Sequence, residues 1–179
     1  AFIFIVNPNN PVGSLAHHQI VDIYTQQITN WNEVGGNNSA INPYIRNQNS
    51  GSQELMESLV MQGTPIAEFP VEFEISGMIP VFVYVGGEKG EKNSICYTVY
   101  YFKERMVIEE HRNTVKTIAV NGILPNRETI SNRTYPFVAE VYAVIRSDLD
   151  KNSMAYKLYE LLQTPAGKAV IAESGYIPN

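Results

Sequence analysis

Residues 45–54, Ile-Arg-Asn-Gln-Asn-Ser-Gly-Ser-Gln-Glu, constrain this chain more than any other stretch. A mostly apolar run at 41–45 predicts a strand leading into them. An amphipathic run at 55–61, Leu-Met-Glu-Ser-Leu-Val-Met, predicts a helix leading out. A strand, a tight turn of small residues and a helix start together make an oxyanion site. The first backbone N–H groups of a helix lack intrahelical partners, and the helix dipole adds partial positive charge there. Gly51 lets the backbone approach a ligand closely. The hydroxyls of Ser50 and Ser52 add two donors, and Arg46 adds a planar, charged fork suited to phosphate or carboxylate. The same residues also fit a plainer arrangement. Ser50 and Gln53 have the S-x-x-Q spacing of a capping box, and Arg46 fits a solvated strand end.

Charge separates the classes of partner. The formal net charge is −5 and no segment is a basic run, which argues against nucleic acid, since phosphate neutralisation needs clustered Lys and Arg. One small anion is not excluded, because it responds to local dipoles and a single arginine. With 44% apolar and 17% charged residues, the 179-residue chain can build a core as one ordinary domain or two small ones. The single cysteine, Cys96, lies in the apolar run Ile-Cys-Tyr and reads as a buried small hydrophobe. His17 and His18 are adjacent and His111 is distant, so no metal site of ordinary ligand spacing is expected, and no cofactor.

The first six residues, Ala-Phe-Ile-Phe-Ile-Val, read as a strand, too short for a signal-peptide core or a membrane span. A chain that opens within an apolar strand reads as a piece of something longer. A Pro-rich loop at 7–13 follows. Ser14 then precedes Leu15, Ile20, Ile23 and Tyr24 at helical spacing, which predicts a helix capped by Ser14. Residues 28–36 read as a compact turn around Trp31, a packing anchor. Residues 63–76 read ambiguously, with strand-like alternation around 71–75; strands are predicted at 78–85 from the Val, Phe and Tyr content, at 95–101, at 117–120 and at 137–145. Residues 86–93 read as a charged loop. Helices are predicted at 153–162 and from Pro165 to a stop near Gly175. Strands alternating with helices indicate an α/β fold.

Four stretches resemble the phosphate-binding proteins of bacterial phosphate ABC importers, in the periplasmic-binding-protein superfamily. Residues 4–12, Phe-Ile-Val-Asn-Pro-Asn-Asn-Pro-Val, resemble the crossover strand and its loop. Residues 19–36 resemble the signature helix and its Ile-Thr-Asn-Trp turn. Residues 46–52 resemble the R-x-x-x-S-G-T anion loop. Residues 135–146 and 173–178 resemble the return strand and C-terminal tail.

The resemblance implies an α/β, type II periplasmic-binding-protein-like architecture. Residues 1–136 would form the anion-binding second lobe with its crossover strand. Residues 137–179 would form the return strand and C-terminal helices of an incomplete first lobe, whose serine-rich loop and proton-accepting acidic residue have no counterpart here. Carried over, Arg46 holds the anion, and Ser50, Gly51 and Ser52 supply hydroxyl and backbone donors. Ser52 replaces the usual threonine, and Gln48 stands where some members place an acid bracing the arginine, which implies a less firmly oriented Arg46. The family forms helix at 78–85, against the composition.

The expected function is that of a solute-binding protein fragment that captures phosphate or a similar oxyanion and catalyses nothing. Its partners would be the importer's membrane subunits. Its place would be extracytoplasmic, cell-surface or periplasmic, with a lipid anchor in the full-length precursor. The fragment would self-associate. A sensory or adhesive binding role on the same fold is an alternative. A serine hydrolase using Ser50 is another, but it lacks the G-x-S-x-G elbow, because Gln48 and Asn49 precede Ser50, and it needs His111 or His17 brought alongside.

Overall fold

The computed structural model describes residues 1–86 and 92–178. The core of the predicted charged loop, residues 87–91, lies outside the described residues. The chain divides into two compact units, Ala1–Ala139 and Glu140–Asn179.

The first unit contains the strands β1 (Phe2–Val6), β2 (Ser14–Leu15), β3 (Asn42–Pro43), β4 (Ile45–Arg46), β5 (Glu74–Ile75), β6 (Ser94–Val99), β7 (Lys116–Thr117) and β8 (Ala119–Val120). Its helices are α1 (His17–Tyr24), α2 (Gly51–Leu55), α3 (Pro80–Val85), α4 (Glu109–Arg112) and α5 (Arg127–Ser131). Every residue of β1 is fully buried, so its unbroken Phe-Ile-Phe-Ile-Val run reflects cover on both faces rather than alternation. β1 pairs antiparallel with β6, from Phe2 opposite Val99 to Val6 opposite Ile95, and antiparallel with β7 on its other edge. β3 joins β6 in parallel, giving the order β3-β6-β1-β7. Two short parallel pairs complete the unit, β2 with β8 and β4 with β5.

The core beside β1 is aromatic. The rings of Phe2, Phe4, Tyr24 and Tyr97 pack in tilted or edge-on contacts, the closest being Phe2–Tyr97 at 5.2 Å and Phe2–Phe4 at 5.5 Å. Each such side chain contributes about 1.5–3 kcal/mol by leaving water. Tyr97 therefore leaves β6 with its ring locked and its hydroxyl directed to β4, a point that matters for the site below.

Trp31 anchors the turn the sequence predicted. It is 1% exposed and its Nε1 donates to Asn93 O at 2.9 Å. The Asn30 side chain caps the short 3-10 helix Trp31–Val34, and Glu33 reaches back to the Asn30 amide at 2.9 Å. Gly35 takes φ +83°, and a Cβ on Gly36 would lie 2.8 Å from Trp31 Cβ. A positive φ at Gly35 and a close approach at Gly36 account for the Gly-Gly that ends the turn.

Several expected elements differ. α1 starts later than predicted. Its N-cap is Ala16, whose amide donates to Gln19 Oε1 at 2.8 Å, while Ser14 sits in β2 and its Oγ accepts from Gly122 N. The strands at 41–45 and 117–120 are each two short strands in different sheets. Residues 71–73 form a 3-10 turn before β5. Residues 80–85 are helical, as the family resemblance implied and composition did not. Pro80 opens α3, and Val81, Phe82 and Val85 are buried at helical spacing. Residues 137–145 form no strand among the described residues; Phe137 is buried and its carbonyl accepts from Phe2 N at 2.8 Å.

The second unit contains α6 (Met154–Gln163) and α7 (Pro165–Ser174). Ser153 caps α6 and Thr164 caps α7, with Pro165 at the first helical position and Gly175 at φ +101° after the last. The two helices pack at Gly167, where a Cβ would fall 1.9 Å from Leu161 O. No described helix is long and apolar enough to cross a membrane.

Candidate anion-binding site

Arg46 ends β4 and is 4% exposed, not a solvated strand end. Pairing of β4 with β5 sets Arg46 opposite Ile75, and the guanidinium Nε donates to Ile75 O at 3.0 Å. That carbonyl orients the side chain, and Gln48 is exposed. The other side of the fork is different. Nη1 is buried and meets no acceptor among the described residues. No described carboxylate forms an ion pair with Arg46.

Residues 47–50 then turn the chain into α2. Ser50 is the N-cap, with φ −86° and ψ 129°, and its Oγ accepts from Ser52 N at 3.2 Å. The predicted capping box does not close, because Gln53 turns inward instead. Its Oε1 accepts from Arg46 N at 3.2 Å and from the Tyr97 hydroxyl, and its Nε2 donates to Glu57 Oε1 at 2.9 Å. Gly51 N–H, the first helical amide, meets no acceptor among the described residues. A Cβ at Gly51 would touch nothing within 4 Å, so the backbone there faces open space. Ser52 is 6% exposed, and its hydroxyl has no described partner. From Met56 to Met61 the helix continues with π-type bonds, such as Gln62 N to Glu57 O at 2.9 Å.

The stretch from Arg46 to Ser52 thus carries a cationic donor, a backbone amide and a hydroxyl that meet no partner among the described residues. Each can donate, so the set suits an acceptor-rich anion; no group of His, Cys, Asp and Glu among the described residues could hold a metal. Under the site, burial holds the Tyr97 phenol far above its ordinary value of 10.0 and pushes the Cys96 thiol up to about 12. Tyr97 stays a neutral hydroxyl that accepts from Arg46 N at 3.0 Å while donating to Gln53.

Ser50 Oγ accepts from Ser52 N and keeps its O–H to donate, and among the described residues no histidine hydrogen-bonds it. His17 Nε2 donates to Val60 O at 2.7 Å, beside a hollow of about 340 Å³ that includes His18 and Asp22 but none of Arg46, Ser50, Gly51 or Ser52. Sequence reasoning placed Arg46, Ser50, Gly51 and Ser52 correctly on one strand-turn-helix. It missed Ile75, Gln53 and Tyr97. Only Gln53 carried a local signal, and that signal was read as a cap.

Residues 1–173 match the family model of the PBP superfamily domain. The chain belongs to the PBP superfamily. Among curated proteins, it is 22% identical over 178 residues to the phosphate-binding protein PstS of Borreliella burgdorferi, covering 99% of this chain and 62% of that protein. It is 22% identical over 176 residues to the phosphate-binding protein PstS of Bacillus subtilis, covering 97% of this chain and 53% of that one. The chain therefore spans little more than half the length of these relatives. Solved structures agree in fold. An ABC-type phosphate transport receptor from Vibrio cholerae superposes with a TM-score of 0.74 at 23% identity, over 98% of this chain and 68% of its own. A putative phosphate ABC transporter substrate-binding protein from Clostridium perfringens, solved with bound phosphate, gives 0.68 at 23% identity, over 99% and 68%.

Proposed function

We propose that this chain carries the oxyanion site of a solute-binding protein that captures inorganic phosphate, or a similar tetrahedral anion, for an ABC importer. The observation that carries the reading is the buried Arg46 Nη1 without an acceptor. A buried donor left unmatched costs about 1–3 kcal/mol, more when charged. A fold that keeps one five residues before a Gly51 amide and six before a Ser52 hydroxyl, both without described partners, recovers that cost when an anion docks. The function carried in the names of the PstS relatives points the same way. Binding exchanges hydration for hydrogen bonds and one ion pair, and no bond is made or broken.

In this reading residues 1–136 are the anion-binding lobe, and residues 137–179 are the return segment toward a second lobe. The partners are the importer's membrane subunits, and the setting is extracytoplasmic, with a lipid anchor on the precursor. Self-association follows from exposed apolar residues in the second unit, Val141, Val144, Met154 and Leu158, each more than half exposed. Sedimentation at several concentrations checks it, and a strict monomer throughout removes it.

The test of the site is a titration of the ¹⁵N-labelled chain with inorganic phosphate, followed by amide spectra. Saturable shifts at Gly51 and Ser52, absent with chloride at equal ionic strength, are expected. Spectra that respond to phosphate no differently from chloride would sink the proposal. An ester-hydrolysis assay run alongside should show no turnover, and Ser50-dependent turnover would restore the hydrolase alternative.

A further inference from the structure

We propose that Gln53 and Tyr97 are positioning residues that set the spacing between the two halves of the oxyanion site. The inference rests on the oxyanion reading above. The donors sit on separate elements: the guanidinium on β4, the Gly51 amide and Ser52 hydroxyl on α2. The loop between them has an exposed tip at Gln48 and Asn49; Ser50 N donates to Asn47 O at 2.9 Å within it, the Ser50 Oγ cap holds the helix side, and neither bond reaches Arg46. What ties α2 to Arg46 itself is a side-chain knot.

Gln53 is the third residue of α2. Its Oε1 takes the Arg46 amide at 3.2 Å and the Tyr97 hydroxyl, and the Tyr97 oxygen takes the same Arg46 amide at 3.0 Å. Three elements, β4, α2 and β6, therefore meet at one acceptor pair. The orientation of the Gln53 amide follows from the network. Flipped, its NH₂ would face the Arg46 N–H, donor against donor, and its oxygen would face the Glu57 carboxylate that now accepts from Nε2 at 2.9 Å. Neither end of the knot is loose. Gln53 is 6% exposed, and the Tyr97 ring is wedged against Phe2, Phe4 and Tyr24. A phosphate that engages the Arg46 fork and the Gly51 amide together needs them at a fixed separation, and no direct bond between those two groups supplies it.

A merely structural glutamine would lower stability when replaced and leave binding by the folded protein unchanged. The two roles separate in phosphate titrations of the 179-residue chain, with the Arg46 Nε–H and Gly51 N–H resonances reporting the two halves. In the native sequence both reporters should follow one isotherm. In Gln53→Met, which keeps the length and removes the acceptor, affinity should fall about tenfold, the equivalent of one charge-assisted hydrogen bond lost to misalignment. The Arg46 response should also shrink relative to that of Gly51. Tyr97→Phe keeps the ring packing, removes the hydroxyl and should weaken binding in the same direction. The double variant should be no weaker than the weaker single, because both sever one knot. Either single variant, folded and binding with the native midpoint at both reporters, overturns the role of that residue. If Gln53→Met fails to fold, Tyr97→Phe decides. A native chain silent to phosphate at both reporters would instead overturn the oxyanion reading itself.

Discussion

Replacing Arg46 by methionine should damage binding and spare the fold. The side chain is 4% exposed, so water does not attenuate its interactions. Two terms act on the ligand-free protein. Loss of the Nε bond to Ile75 O removes a hydrogen bond from a charged donor, about 1.5–3 kcal/mol. Loss of Nη1 removes a buried donor with no acceptor, whose cost of about 1–3 kcal/mol then disappears. The terms oppose and are similar in size, so the ligand-free melting temperature should move by no more than a few degrees, at about 2–4 °C per kcal/mol for a chain of this size. The bound state has no such cancellation. One charge-assisted hydrogen bond to the anion is lost, about 1.5–3 kcal/mol, which is a weakening of roughly 10- to 150-fold at 1.4 kcal/mol per decade. Thermal melts without phosphate, paired with a phosphate titration, read the two effects separately. A large fall in melting temperature with native affinity in the surviving folded protein would make Arg46 a structural residue. The buried Nη1 would then have to be explained without a ligand.

Gly51→Val should melt like the native chain, within about 0.5 kcal/mol, because the new side chain enters open space, yet phosphate binding should be lost. Collapse of the melt with binding intact would reverse that reading. Gly36→Ala should destabilise by about 1–3 kcal/mol, since its Cβ would sit 2.8 Å from Trp31 Cβ and 2.9 Å from Trp31 O, and fluorescence of the single tryptophan should report it. An unchanged urea midpoint would mean that the turn has room to yield. In alkali, the unfolded thiol ionises near 9.0 and the unfolded phenols near 10.0, while burial holds Cys96 up to about 12 and raises Tyr24, Tyr97 and Tyr135. The unfolded chain therefore loses these protons first, so the stability these groups contribute is full below pH 9.0 and is lost as pH rises toward 12. Urea midpoints compared at neutral pH and above 9.0 check it, and a midpoint that holds steady would contradict the burial of these groups.

What the sequence disclosed depended on how locally each feature is decided. The Trp31 turn was legible because Asn30, Glu33, Gly35 and Gly36 satisfy one another within a few residues. The start of α2 was legible for the same reason, since Ser50 caps its own helix. Residues 80–85 misled because Val-Phe-Val-Tyr-Val has strand composition, while the spacing of Val81, Phe82 and Val85 and the Pro at the first position favour a helix. Residues 137–145 misled because an apolar alternating run pairs only if a neighbouring edge is present to receive it. Gln53 marks the limit most clearly. The same acceptor can close a cap three residues back or reach Tyr97 on another strand, and only the tertiary fold chooses between them. Arg46 was singled out for its charge. Its anchor, Ile75 O, belongs to a backbone that no residue type announces.

The placement of β1 has a consequence for how this chain comes to be folded. The strand at positions 2–6 pairs with residues 95–99 on one edge and with residues 116–117 on the other. At synthesis rates of about 5–20 residues per second, Phe-Ile-Phe-Ile-Val waits on the order of 5–20 s for its first partner to exist. During that wait it is a short, uncharged, strongly β-prone segment with both edges open, the kind that recruits other chains. Local helices such as α1 form without it, but the central sheet closes only after its most distant contacts are made, which is the slow step in topologies of this kind. Pulse-labelled hydrogen exchange during refolding should therefore find the amides of β1 and β6 becoming protected together and late, after those of α1.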